Sequence, residues 1–245
     1  MLELRGTYMF DVTLPPERYE TCCGMSEQPV PSRVSLGIDE AGRGPLAGPV
    51  VAAAVALPKQ FSHERIRDSK QLAGEEREKL YEIITANALS YGIVSLGPRE
   101  IEEFNIRNAT RIAMTIAARE VYTRLSTRNP RAQFKLLIDG DMPAATNLAQ
   151  ETIIKGDASV FAISAASILA KVWRDRLMTS IEKRYPGYGF AAHKGYPTTL
   201  HREKIKKLGP CEIHRRTFAG VREHLSVQRS LLEVSHGAEQ QFGEI

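Results

Sequence analysis

The chain has 245 residues, of which 42% are hydrophobic and 25% charged, with a formal net charge of +4. These values are typical of a soluble globular protein with a full core, and the chain contains neither a membrane-spanning apolar run nor the apolar core of a signal peptide. We therefore expect a cytoplasmic protein whose three cysteines are free thiols, since they form no disulfide framework and no zinc-binding pattern.

Residues 1–32 contain four prolines and no sustained apolar periodicity, so we expect a poorly ordered N-terminal extension. The globular part then alternates short apolar runs, typical of strands, with amphipathic stretches typical of helices. This order predicts a mixed α/β sandwich. The predicted strands span residues 34–39, 50–57, 91–96, 134–138 and 151–155. One helix begins at Gly74, a short one contains Ile101 and Phe104, and two longer helices span residues 107–125 and 158–184.

The most informative stretch is residues 37–50, where Asp39 and Glu40 end the first predicted strand and a glycine-rich loop carrying Arg43 follows. Carboxylates attract divalent metal ions, whereas exposed backbone N–H groups and a guanidinium attract phosphate. A strand that ends in a solvated acidic pair and a Gly/Pro turn is the simpler interpretation of Asp-Glu-Ala-Gly alone. The whole run, with the acids downstream, favours a site where metal ions meet a phosphodiester.

Four carboxylates share a position at or just past the end of an apolar strand: Asp39, Glu40, Asp139 and Asp157. If the strand ends meet at one sheet edge, these groups repel one another unless cations intervene, and Mg²⁺ or Mn²⁺ suits such oxygen ligands. Two such ions about 4 Å apart would stabilise the attacking and leaving oxygens of a phosphoryl displacement. Alternatively, Asp157 is an N-cap and Asp139 a turn residue. We interpret Asp141 as a turn residue and Asp175 as part of a surface ion-pair face.

The charge is uneven, because eight basic residues oppose three acidic ones between His193 and His224. Such a segment suits a polyanion, most commonly a nucleic acid backbone. A lysine-rich helix face exposed to solvent has the same composition, so this segment alone does not decide between the two.

A series of short segments resembles ribonuclease HII, the type 2 ribonucleases H, over most of residues 34–220. The matching segments are residues 37–50, 68–70, 105–108, 137–140, 155–157, 165–172, 174–175, 185–190, 193–196, 209–210 and 213–215. The resemblance implies an α/β fold, a ribonuclease H-like mixed sheet flanked by helices, with a small C-terminal helical subdomain. It implies an N-terminal extension (1–32), a catalytic domain (33–190) and a C-terminal substrate-binding segment with a tail (191–245).

The same resemblance implies a metal-dependent endonuclease that cuts on the 5′ side of a ribonucleotide, in RNA–DNA hybrids and at single ribonucleotides in duplex DNA. It would leave a 3′-hydroxyl and a 5′-phosphate and use Mn²⁺ or Mg²⁺, with two ions during catalysis. Position by position, the implied catalytic and metal-binding set is Asp39, Glu40, Asp139 and Asp157. The implied readers of the ribonucleotide are Gly42, Arg43, Gly44 and Tyr196, the last stacking on the sugar at the DNA–RNA junction. The implied backbone-binding residues are Lys70, Asn105 and Asn108.

Several alternatives stay open at this stage. Taken alone, a tyrosine such as Tyr196 is more often a core or surface aromatic, and His193 and His214 could bind phosphate or make structural hydrogen bonds. Another nuclease or transposase on the same sheet, or a binding module with a structural ion, fits the acids too. A site that binds a nucleotide through the glycine loop is disfavoured because Gly-Lys-Ser/Thr is absent after that loop.

We expect a monomer, and Gln240-Gln241-Phe242 matches a sliding-clamp peptide only in part.

Overall fold

The computed structural model describes residues 14–68 and 72–225. The strands are β1 (Glu20–Met25), β2 (Arg33–Ala41), β3 (Val50–Ala56), β4 (Ser90–Leu96), β5 (Gln133–Asp139) and β6 (Ala149–Ile153). The helices are α1 (Gly74–Asn87), α2 (Pro98–Arg128), α3 (Gly156–Ser159), α4 (Phe161–Arg184), α5 (Phe190–His193) and α6 (Thr199–Leu208), with short 3₁₀ turns at Pro16–Arg18, Glu64–Asp68 and Arg222–His224. The expected mixed sheet flanked by helices is confirmed.

Within the described residues, one sheet contains all six strands in the order β1-β4-β3-β2-β5-β6. β2 pairs in parallel with β5, and β5 in parallel with β6, whereas the other pairs are antiparallel. The C-terminal ends of β2, β5 and β6 therefore lie at the same edge of the sheet. The register brings Ile38 beside Ile138 and Asp139 beside Ile153, so residues following these strands are close in space.

β3 is buried along its whole length and separates two apolar layers. Its residues alternate between the layers: Val50, Ala52 and Ala54 pack on the side of α2, while Val51 and Ala53 pack on the side of α1 and α4. Its sequence is apolar throughout, as is typical of a strand that is buried on both faces. Its alanines leave room for the helices to approach the sheet closely.

The expectation of a poorly ordered extension is wrong for its described part, residues 14–32. β1 adds to the edge of the sheet beside β4, Leu14 is buried, and Arg18 forms an ion pair with Glu100 at 3.2 Å. β1 carries the sequence Glu-Thr-Cys-Cys-Gly-Met and alternates between exposed and half-buried positions. An edge strand with so few apolar residues has no periodicity that would reveal it. Residues 1–13 lie outside the described part.

The helices agree with prediction around residue 105 and differ from it around residue 160. The two helices predicted around residues 101 and 107 are confirmed as the two parts of α2, which meet at Asn105, where φ is 62° and ψ is 164° and the backbone is not helical. The helix predicted from residue 158 is divided at Val160 into α3 and α4, because Val160 has extended φ and ψ. The predicted boundary between domains at residues 190 and 191 falls at the start of α5 and stays a prediction.

Among the helices that the structure describes, none combines the length and the apolar character needed to cross a membrane.

We expect Gly37→Ala to lower the free energy of unfolding by about 3 kcal/mol, because the added methyl group would fall on the main chain of Ala162 at the start of α4. Urea unfolding followed by circular dichroism measures the change. Gly74→Ala is the matched control, since a methyl group there meets nothing within 4 Å. Equal unfolding midpoints for Gly37→Ala and the wild type would contradict this account of the β2–α4 contact.

Candidate active site

The four acids of the sequence analysis lie at the edge where β2, β5 and β6 end. Asp39 and Glu40 are near the end of β2, Asp139 is the last residue of β5, and Asp157 is in the first turn of α3. The main-chain N–H of Asp157 donates to Asp139 Oδ1 at 3.2 Å, which joins the last two directly. The alternative that Asp157 is an N-cap is wrong, since Lys155 holds that position.

Asp39 is the most strongly perturbed carboxyl of the set. Its side chain is only 5% exposed, and the main-chain N–H of Glu40 donates to its Oδ1 at 2.7 Å. Burial, together with the nearby carboxylates of Glu40 and Asp139, raises the pKa of Asp39 well above its usual value, and a hydrogen bond from Ser167 opposes this only in part. The environment therefore disfavours a negative charge on Asp39 unless a cation is near.

Burial also raises the pKa of Glu40, but Arg43 opposes the rise. Arg43 Nη1 lies 3.3 Å from Glu40 Oε1, on a side chain that is 47% exposed. Because this ion pair is single and half in solvent, it holds Arg43 only weakly. The guanidinium stays available to another anion.

The acids suit a hard divalent cation by their chemistry. All four offer carboxylate oxygens, the ligands that Mg²⁺ and Mn²⁺ prefer, and burial, with a smaller contribution from Asp139, raises the pKa of both Asp39 and Glu40. Within residues 14–68 and 72–225, no three His, Cys, Asp or Glu side chains are already close enough together to hold an ion. The donors thus converge on one edge without forming a closed cage.

An open cleft of about 470 Å³ lies beside the acids. It brings Glu40 together with the glycine loop after β2 and with Tyr196, which is distant in sequence. The residues that line it are Glu40, Ala41, Gly42, Arg43, Gly44, Arg77, Ser167, Ile168, Lys171 and Tyr196. Five of the residues predicted as site residues therefore share one cleft.

Two buried arginines donate hydrogen bonds to the main chain of the glycine loop. Arg174 of α4 donates from Nε to the carbonyl of Pro49 at 3.0 Å, and from Nη2 to that of Ala47 at 3.2 Å. Its Nη1 donates to the carbonyl of Lys194 at 2.9 Å, which joins the loop to the C-terminal segment. Arg174 is fully buried, and an added methyl group at Gly42 would collide with it.

Arg215 supplies the second set of contacts. It donates to the carbonyls of Gly48 at 2.9 Å, Arg43 at 2.9 Å and Gly42 at 2.6 Å. Burial, with the neighbouring Arg174, lowers the pKa of Arg215 to about 9, so the group keeps its proton near neutral pH. The two guanidinium groups together fix the path of residues 42–49.

Tyr196 lines the cleft and is 37% exposed. Lys171 Nζ and Arg174 Cζ each lie 5.6 Å from the centre of its ring. Lys171 also forms an ion pair with Asp175 at 2.8 Å, in keeping with the interpretation of Asp175 as part of an ion-pair face. The ring is part of the cleft wall, and the alternative of a core aromatic is wrong.

The remaining predicted residues do not line this cleft. Asn105 and Asn108 are exposed on α2, where Asn105 Oδ1 accepts from the Asn108 N–H at 3.0 Å. Lys70 lies outside the described residues, as do Gln240, Gln241 and Phe242. Asp141 forms an exposed ion pair with Arg107 at 3.6 Å, in keeping with a turn residue.

His193 and His214 are buried and hydrogen-bonded within the fold, so their structural interpretation is the one that holds. Sequence reasoning missed the roles of Arg174, Arg215, Lys171 and His201. Arg174 had a signal, because it stands in a buried stripe at helical spacing with Ala166, Ala170 and Met178. A charge at a core position indicates a specific buried partner.

Comparison with known proteins yields a family and a fold. A family model described as Ribonuclease HII matches residues 36–221. Ribonuclease HII of Syntrophotalea carbinolica is 50% identical over 189 residues, which are 77% of this chain and 87% of that protein. Ribonuclease HII of Geobacter sulfurreducens is 49% identical over 197 residues, 80% of this chain and 87% of that protein.

Solved structures agree with this result. Ribonuclease H2 from Pyrococcus horikoshii OT3 has a TM-score of 0.62 and 28% identity, covering 80% of this chain and 99% of that one. Bst-RNase HIII in complex with Mn²⁺ has a TM-score of 0.60 and 17% identity, covering 81% of this chain and 71% of that one. The second likeness concerns the fold alone.

We expect Arg215→Met to free the glycine loop, because the carbonyls of residues 42, 43 and 48 would lose their buried donor. The free energy of unfolding should fall by about 3 kcal/mol or more, and amide hydrogen exchange in residues 42–49 should speed up. Arg216→Met is the control, since Arg216 is exposed and such a change costs at most about 0.5 kcal/mol. If amide hydrogen exchange in residues 42–49 of Arg215→Met is as slow as in the wild type, this role of Arg215 is contradicted.

Proposed function

The chain belongs to the ribonuclease HII family, and we propose that it cuts on the 5′ side of a ribonucleotide in RNA–DNA hybrids and at single ribonucleotides within duplex DNA. Membership of the family makes it an endoribonuclease, a hydrolase of phosphodiester bonds. The products proposed are a 3′-hydroxyl and a 5′-phosphate. The observation that carries the proposal is the single cleft that joins Glu40, the glycine loop and Tyr196.

We propose that Asp39, Glu40, Asp139 and Asp157 hold divalent cations, either Mg²⁺ or Mn²⁺ and two during catalysis. The converging oxygen donors and the raised pKa of Asp39 support this proposal. When bound, the cations supply positive charge to the attacking and leaving oxygens of the phosphoryl displacement. The carboxylates hold this charge at the edge of a rigid sheet, so the phosphate has one place to bind.

In this proposal, the glycine loop reads the 2′-hydroxyl that distinguishes a ribonucleotide from a deoxyribonucleotide. An added methyl group at Gly44 would meet no protein atom within 4 Å, so packing within the protein does not require glycine there. A bare backbone instead lets a sugar approach the main chain of Gly42 and Gly44 closely. Arg43 then contacts the adjacent phosphate, since its guanidinium is half exposed beside the acids.

Tyr196 is proposed to stack on the sugar at the DNA–RNA junction from the other side of the cleft. Its exposed ring supports this role, because a flat aromatic face packs well against a deoxyribose. Lys171 and Arg174, both 5.6 Å from the ring centre, add positive charge near the neighbouring phosphates. Asn105 and Asn108, exposed on α2, and Lys70 are proposed as contacts to the nucleic acid backbone.

Two other parts of the prediction stay proposals. A monomer in the cytoplasm is the simplest assembly and location for such an enzyme. Clamp binding through Gln240-Gln241-Phe242 is the second, and that tail lies outside the described residues. A solved complex pairs PCNA with RNase HII from Archaeoglobus fulgidus, which is 24% identical to this chain and so supports the fold alone.

We expect the wild-type protein to cut a DNA duplex with one embedded ribonucleotide at a single position, immediately 5′ to the ribonucleotide, with Mg²⁺ or Mn²⁺. End-labelled strands separated on a sequencing gel map the cut, and ligation of the fragments tests the chemistry of the ends. The same duplex without the ribonucleotide is the control. Equal cutting of the control would identify a DNA nuclease instead, and absence of cutting with either metal would refute the proposal.

We expect Asp139→Asn to reduce cleavage by at least about 10³-fold, since it removes a negative ligand, while the affinity for the duplex stays within about threefold. Single-turnover cleavage and fluorescence anisotropy measure the two quantities. Asp141→Asn, two residues away and exposed, is the matched control and should cut like the wild type. Full activity in Asp139→Asn would mean that the acids hold only a structural ion.

A further inference from the structure

Three histidines form a buried cluster beneath the wall of the cleft that carries Tyr196. His193 ends α5, His201 lies in α6, and His214 lies in the segment just before Arg215. Their exposed fractions are 9%, 0% and 0%. The rings of His193 and His201 stack with centres 4.2 Å apart, and those of His201 and His214 are 5.3 Å apart.

The hydrogen bonds of the cluster assign every proton in it. The main-chain N–H of Cys211 donates to His214 Nδ1 at 2.9 Å, and a main-chain N–H can only donate. In neutral His214 the proton is therefore on Nε2, which donates to His201 Nε2 at 3.1 Å. His201 must then carry its own proton on Nδ1, which donates to the carbonyl of Tyr196 at 3.0 Å. One directed chain runs from Cys211 to Tyr196.

The same argument gives the position of the proton on His193, which is hydrogen-bonded to Gly195, the residue before Tyr196. The main-chain N–H of Gly195 donates to His193 Nδ1 at 3.1 Å, so the proton of His193 is on Nε2 and donates to the carbonyl of Tyr188 at 2.9 Å. On the other side, the main-chain N–H of Leu46 donates to the carbonyl of Gly195 at 2.8 Å. Residues 195 and 196 are thus held by both the histidines and the glycine loop.

A charged histidine does not fit this arrangement. Protonation of His201 would place two N–H groups against each other across 3.1 Å, and protonation of His214, at Nδ1, would place an N–H against the main-chain N–H of Cys211 at 2.9 Å. Burial lowers the pKa of both rings to about 4, so both are neutral near pH 7. The series of hydrogen bonds from Cys211 to Tyr196 is therefore intact near pH 7.

We propose that His214 and His201 are positioning residues that set the place of Tyr196 through its main-chain carbonyl, and with it the fit of the ribonucleotide. The inference rests on the proposed function, because Tyr196 is a proposed contact of the sugar. Its physical basis is that the ring of Tyr196 is exposed at the cleft, so its position is set largely from the backbone side. A displacement of about 1 Å at such a contact can cost about 10²-fold in rate.

Two substitutions at His201 distinguish the effect of the hydrogen bond to Tyr196 from the effect of ring packing. The amide nitrogen of asparagine lies near the position of Nδ1, so His201→Asn keeps the donor to the Tyr196 carbonyl. The amide of glutamine reaches the position of Nε2, so His201→Gln keeps the contact with His214 and loses that donor. Both variants lose the ring stacked on His193, so their shared loss of packing cancels in the comparison.

We expect kcat/KM on the single-ribonucleotide duplex to be about tenfold lower for His201→Gln than for His201→Asn. In a Tyr196→Ala background this difference should vanish, because the chain acts through Tyr196. Thermal melting identifies the temperature at which both variants are folded. A tenfold difference that persists without the Tyr196 ring, or no difference between the two variants, would overturn the inference.

A spectroscopic measurement keeps this test independent of activity. In protein labelled with 3-fluorotyrosine, the ¹⁹F resonance of Tyr196, assigned with Tyr196→Phe, should move in His201→Gln and stay near its wild-type position in His201→Asn. If the wild type does not cut the duplex but the resonance moves as expected, the proposed function fails and the positioning role stands. If the duplex is cut but the resonance is the same in both variants, the positioning role fails alone.

Discussion

The burial of two arginine charges is the constraint on which the rest of the site depends. Removing a guanidinium from water costs several kcal/mol, and Arg174 and Arg215 are both fully buried. Six hydrogen bonds to main-chain carbonyls offset that cost, five of them from residues 42–49. The glycine loop therefore cannot relax without exposing a charge to an apolar interior, and its backbone is rigid where a ribonucleotide would meet it.

The same buried groups join parts of the chain that are far apart in sequence. Arg174 lies on α4 and contacts both the loop after β2 and Lys194, while Leu46 donates to Gly195. The wall that carries Tyr196 and the loop that carries Arg43 are thus fixed relative to each other by main-chain contacts. A reader of the 2′-hydroxyl needs such rigidity, because it distinguishes one oxygen atom.

The sheet holds the carboxylates together against their mutual repulsion. Parallel pairing of β2, β5 and β6 brings their acidic ends to one edge, and the hydrogen-bond ladder prevents the strands from separating. Asp39 bears the largest cost, since it is buried beside Glu40 and Asp139. Apolar packing on both faces of β3 stabilises the scaffold that holds this unfavourable charge in place.

The sequence by itself determined the family, the central strands and the acids that lie at one edge of the sheet, because apolar runs, strand ends and the order of short motifs are local patterns. It did not reveal β1 or the roles of Arg174, Arg215 and His201. Each of these depends on partners far along the chain: β1 on β4, Arg215 on Gly42, and His201 on His214. A buried polar group is stable only where its partner lies, so only the tertiary structure decided which arginines and histidines support the site.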